Sequence, residues 1–93
     1  MNRRKGSEMF HKVKEIKPLP DYVLSVDFMS GEKKRYDVKP LFDKWEPFKA
    51  LKLTKGLFEQ VTVDLGGYGI SWNDDIDLSC GELYANGATI DSP

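Results

Sequence analysis

Residues 22–28 read Tyr-Val-Leu-Ser-Val-Asp-Phe, with Tyr22, Leu24, Val26 and Phe28 at every second position. A strand turns successive side chains to opposite faces, so this spacing puts four apolar groups on one face and predicts a half-buried β-strand. Ser30-Gly31-Glu32 supplies a turn, and Lys33-Lys34-Arg35-Tyr36-Asp37-Val38 resumes the alternation, with Lys34, Tyr36 and Val38 in phase. The two segments predict a hairpin. Upstream, Val13, Ile16 and Leu19 form an irregular extended segment; Pro18 and Pro20 cannot donate to a central ladder, which predicts an edge position or a bend near Asp21.

The period changes after Pro40. Leu41, Phe42, Trp45, Phe48 and Leu51 recur at three- and four-residue intervals, predicting a short helix over 40–45, an interruption at Glu46-Pro47 and a second helical turn over 48–52. Alternation returns in Val61-Thr62-Val63-Asp64-Leu65, a second strand, and Gly66-Gly67-Tyr68-Gly69 reads as a hairpin connection into Ile70-Ser71-Trp72. Asn73-Asp74-Asp75 is a loop and Ile76-Asp77-Leu78 a short extended piece. Ser79-Cys80-Gly81-Glu82 has capping-box spacing: the Ser79 hydroxyl accepts from the Glu82 amide while the Glu82 carboxylate reaches back. A helix over 80–85 presents Leu83 and Tyr84 and ends at Asn86-Gly87 as a left-handed terminator. The result is an α+β domain over 9–87, a small mostly antiparallel sheet of two hairpins with short helices on one face. Residues 1–8 read as a disordered extension and 88–93 as a frayed tail.

Fourteen basic against 15 acidic residues give a net charge of −1, which removes a global electrostatic footprint for nucleic acid or anionic membrane and leaves only local patches. No apolar run approaches the ~18 residues of a membrane helix, and a single cysteine excludes an intrachain disulfide. A cytoplasmic location is the expectation that fits.

Three groups of residues bear on chemistry. Asn73, Asp74, Asp75 and Asp77 concentrate oxygen atoms, but a calcium loop needs glycine where Leu78 stands and glutamate where Tyr84 stands, so they read as a solvated turn with a local Asx bond. His11, the sole histidine, and Cys80, in the first turn of a helix, lack the accompanying signature of a nucleophilic site and the further ligands a zinc site requires. The glycine run lies between two strands, whereas a phosphate cradle lies between a strand and a helix N-terminus. These residues predict no catalytic group, no metal and no cofactor.

Two binding surfaces are suggested instead. Trp45, Phe48 and Tyr68 are candidate anchors for a protein partner, since exposed Trp and Tyr favour such contacts. Lys33, Lys34 and Arg35 are candidate nucleic-acid contacts, with Lys44, Lys49, Lys52 and Lys55 extending the basic character.

The ordered landmarks Val13-x-x-Ile16-x-Pro18-Leu19, Tyr22-x-Leu24-x-Val26-x-Phe28-x-x-Gly31-Glu32, Tyr36-Asp37-Val38, Phe48-x-x-Leu51, Val61-x-Val63-Asp64 and Gly69-Ile70-x-Trp72-Asn73-x-x-Ile76-Asp77-Leu78 with the late Leu83-Tyr84 resemble the small bacterial family called domain of unknown function 2442. Asn73 stands where many relatives have proline. The resemblance implies a compact α+β domain with a mostly antiparallel sheet, found alone or joined to a helix-turn-helix. It also implies gene neighbourhoods like those of toxin–antitoxin pairs, and it supplies no catalytic residue. The expected function is therefore a non-enzymatic interaction domain, an accessory or antitoxin-like subunit that binds another small protein at a sheet edge or at Trp45–Phe48. A homodimer through an edge strand is a further expectation. The alternative is a nucleic-acid-binding regulator using the basic hairpin.

Overall fold

The computed structural model describes residues 11–90, and the readings made for residues 1–8 and 91–93 lie outside that range. Strands β1 (Val13–Leu19), β2 (Val23–Phe28) and β3 (Lys33–Asp37) form an antiparallel meander. The helical segment follows as α1 (Leu41–Lys44), a 3-10 turn (Glu46–Lys49) and α2 (Ala50–Leu53), with a further 3-10 turn at Phe58–Gln60. Strands β4 (Thr62–Val63), β5 (Gly69–Asn73) and β6 (Ile76–Ser79) precede helix α3 (Cys80–Asn86) and strand β7 (Ala88–Thr89).

The α+β class holds, but the strands divide between two antiparallel sheets, ordered β1-β2-β3-β7 and β4-β5-β6. Leu24, Val26 and Phe28 of β2, with Tyr36 and Val38, share one buried cluster with Ile70, Trp72, Ile76 and Leu78 of the second sheet. Both sheets thus turn their alternating apolar faces onto a common core, closed by Phe42, Phe48, Leu51 and Phe58 of the helical segment and by Leu83 of α3. None of the helices is long and apolar enough to cross a membrane among the described residues.

Pro18 lies inside β1, which is an edge strand, so its missing N–H costs no central ladder bond. The chain then bends as expected at Asp21, whose φ is 67°, and Tyr22, whose φ is 59°. Two consecutive non-glycine residues in the left-handed region are costly, at about 1–2 kcal/mol each. Their surroundings hold them there: the Lys39 ammonium donates to the Asp21 carbonyl at 2.7 Å, and the Val38 amide donates to the Tyr22 carbonyl at 3.0 Å. The Tyr22 ring also stands edge-on to Phe42 and Phe58 at 5.3 Å each.

Several local expectations need correction. The strand predicted over 61–65 shrinks to Thr62–Val63, and Leu65 is 97% exposed, because the 3-10 turn Leu65–Gly67 leaves the pleat before the alternation can place it inside. The break in the helical segment falls at Trp45, extended at φ −130° and ψ 120°, and Pro47 opens the following 3-10 turn. Gly87 ends α3 in an extended conformation, φ −80°, so no left-handed terminator forms there. Its value is closeness: a Cβ at this position would sit 2.6 Å from the Leu83 carbonyl and 3.2 Å from the Lys34 Cβ. That approach carries the chain into β7, where Ala88 pairs with Arg35 and Thr89 with Lys34; these two residues belong to the sheet and not to a frayed tail.

Candidate functional site

The capping signature at Ser79 forms by half. Ser79 Oγ accepts from the Glu82 amide at 3.1 Å, while the Glu82 carboxylate accepts from the Tyr36 hydroxyl at 2.7 Å. Helix α3 is thereby tied to β3, and Lys34 of the same strand completes the joint. Its ammonium donates to the Tyr84 carbonyl at 2.6 Å and lies 3.9 Å from the centre of the Tyr84 ring.

This joint dissolves the basic hairpin face. Lys34 shares the inward face with Tyr36 and Val38 and is 9% exposed, because the period of two that buries those residues buries it as well. Its charge is met by the late carbonyl of a helix and by an aromatic face, both of which favour a cation. Lys33 and Arg35 point the other way; Lys33 pairs with Asp27 at 3.2 Å, and Arg35 is exposed. The three predicted nucleic-acid contacts therefore do not share a surface.

The aromatic anchors also separate. Phe48 is buried at 4% exposure, Trp45 is 45% exposed and Tyr68 is 50% exposed. Tyr68 precedes β5, its carbonyl accepting from the Cys80 amide at 2.8 Å and its ring lying 5.0 Å from the Lys12 ammonium. Trp45 lies beside the turn at the opposite end of β5. Tyr68 does not line the groove at Trp45 and is no part of that surface.

Around Trp45 the structure builds a groove of about 440 Å³, lined by Lys44, Trp45, Glu46, Pro47, Phe48, Asp75 and Asp77. Its apolar wall follows from the local sequence. The Trp45 amide donates to the Leu41 carbonyl at 3.0 Å, closing α1, and its extended backbone breaks the helix before the 3-10 turn that buries Phe48. The two rings lie 5.6 Å apart. Phe48 is edge-on to Trp72 at 6.0 Å, and Trp72, 7% exposed as a strand residue beside Ile70, donates its indole N–H to the Phe58 carbonyl at 3.0 Å. The exposed indole is therefore the outer member of an aromatic row anchored in the core, and it is held without much freedom to lose on contact with a partner.

The acidic part of the lining comes from the β5–β6 hairpin, Asp75 in its turn and Asp77 in β6. Asn73 Oδ1 accepts from the amides of Asp75 at 2.8 Å and Ile76 at 3.0 Å, the Asx bond expected of this loop. It fixes the turn that carries Asp75, strand alternation turns Asp77 outward, both are exposed, and no ion pair joins either carboxylate to another described residue. No group of three His, Cys, Asp or Glu side chains suited to a metal occurs among the described residues. The pairing of these carboxylates with Trp45 was hidden in the sequence, where thirty residues of helix, turn and strand separate the two walls.

A larger depression, about 570 Å³, lies against Asp21, Tyr22, Leu51, Lys55, Phe58 and Glu59. Its aromatic faces are committed to internal packing, Tyr22 against Phe42 and Phe58. Cys80 is buried, and His11 stacks on Tyr84 at 3.5 Å; neither lines these two cavities.

Among known families, the one described as protein of unknown function (DUF2442) matches residues 13–89. The chain belongs to this family. No curated protein and no solved structure matches it.

Proposed function

We propose that this chain is a non-enzymatic, cytoplasmic protein-binding module of bacterial origin, an accessory or antitoxin-like subunit whose small protein partner docks in the Trp45 groove. The observation that carries this reading is Trp45 itself, 45% exposed at the mouth of a groove and held by a row of core aromatics. An indole removed from water at an interface brings a large apolar area at low conformational cost, which is why Trp dominates the few residues that carry binding energy. Phe48 supports the site from beneath, as the floor that positions the indole, and makes no exposed contact of its own.

The test is co-purification from the native host of the tagged chain and of its Trp45→Ala variant. A small protein recovered at one-to-one stoichiometry with the parent chain and lost from Trp45→Ala is the expected result. A partner retained by Trp45→Ala at the parent level would overturn the assignment of the groove.

A further inference from the structure

We infer that the groove reads an arginine side chain presented by its partner, an inference that rests on the docking role proposed for Trp45. The walls supply the two features a guanidinium recognises. One is an exposed indole, whose face attracts a cation, Trp being the strongest aromatic for this contact. The other is a pair of exposed carboxylates, Asp75 and Asp77, that line the same groove from a separate segment of the chain. A guanidinium is planar, stacks on an aromatic ring and presents a fork of N–H donors to a carboxylate; an ammonium offers a compact, strongly hydrated point charge and cannot do both at once.

The charge balance of the groove points the same way. Glu46 is offset by Lys49, whose ammonium lies 3.5 Å away. Lys44 is the one cation in the lining, and its ammonium lies 5.7 Å from the centre of the Trp45 ring, near the ~6 Å limit of a cation–π contact. The chain's own cation is thus held loosely, and no ion pair links it to Asp75 or Asp77 among the described residues. Two carboxylates against one cation leave the lining net negative beside an exposed indole. A neighbouring apolar residue on the partner would rest on Pro47 and the exposed part of the indole.

The inference is tested by NMR titration of the labelled full chain at low salt with the peptide acetyl-Gly-Leu-Arg-Gly-amide and with its citrulline counterpart, which keeps the shape and removes the charge. Saturable shifts of the Trp45 indole N–H and the Asp75 and Asp77 amides are expected with the arginine peptide, with affinity at least about tenfold weaker for citrulline. The double variant Asp75→Asn, Asp77→Asn is expected to abolish the shifts while leaving the buried Trp72 indole signal in place, since neither carboxylate takes part in a hydrogen bond within the fold among the described residues. Equal binding of the two peptides, or full binding by the double variant, would overturn the inference. So would self-association that fills the groove without peptide, which makes a second copy the occupant. In co-purification, loss of the partner from Trp45→Ala but not from the double variant overturns the arginine inference and leaves the docking role intact. Retention by both variants overturns the docking role.

Discussion

The Tyr36 hydroxyl donates to the Glu82 carboxylate at 2.7 Å, joining the third strand of the first sheet to the helix that follows the second sheet. With the neighbouring contact of Lys34 to the Tyr84 carbonyl at 2.6 Å, it ties the two halves of the core through polar groups where the apolar contacts give way to the surface. Burial and, after it, the hydrogen bond and charge of Glu82 push the Tyr36 phenol far above its ordinary value of 10.

Tyr36→Phe is therefore expected to lower stability at neutral pH by about 1.5–3 kcal/mol, the net worth of a hydrogen bond to a charged group. A raised folded-state pKa gives stability that is fully present below pH 10 and lost as pH rises above it, because the unfolded phenol ionises first. Urea unfolding between pH 8 and about pH 11.5 should show the parent chain losing its advantage over Tyr36→Phe above the ordinary tyrosine pKa. A constant gap across that range would contradict the linkage.

Lys34 should behave as a core residue. Lys34→Ala is expected to cost about 2 kcal/mol by loss of a buried charged hydrogen bond. Lys33→Ala, at an exposed ion pair, should cost less than about 1 kcal/mol. Arg35→Ala should fall within about 0.5 kcal/mol of the parent. Chemical denaturation of the three variants checks the order, and equal small effects would place Lys34 on the surface with its neighbours.

The left-handed pair at the β1–β2 turn separates backbone from side chain. Asp21→Gly releases strain and forfeits only an exposed ion pair to Lys39 at 3.3 Å, so it is expected to stabilise by up to about 1 kcal/mol. Tyr22→Gly releases similar strain but removes the ring packed on Phe42 and Phe58, with an expected loss of about 2–3 kcal/mol. Thermal melts of the two variants should move in opposite directions.

Much of this fold is legible in local pattern. The alternation from Leu24 to Phe28 and from Lys34 to Val38 places both strands and their faces, and Ser79 caps its helix as its spacing predicts. The failures have two causes, a local turn that ends the pleat early and contacts distant in sequence. Leu65 continues an apolar alternation, yet the glycines Gly66 and Gly67, with φ of 82° and 81°, turn the chain out of the sheet first. Lys34 sits at an inward position of its strand, but what receives its charge is a carbonyl fifty residues later. Gly87 looks like a helix terminator and is selected by the approach of Leu83 and Lys34. The site follows the long-range rule: Trp45 before Glu46-Pro47 marks an irregular surface, while the carboxylates that share its groove are visible only once the β5–β6 hairpin is folded beside it.

Docking of a protein partner on Trp45 is read out by adding the co-purified partner to the isotope-labelled chain and following the two indole N–H signals. With the partner docked there, the signal of exposed Trp45 moves or broadens together with the amides of Lys44, Asp75 and Asp77, while that of Trp72, bonded to the Phe58 carbonyl, keeps its position. An unmoved Trp45 signal, with the changes gathered instead around Tyr68, Met29 and Gly67, would contradict it.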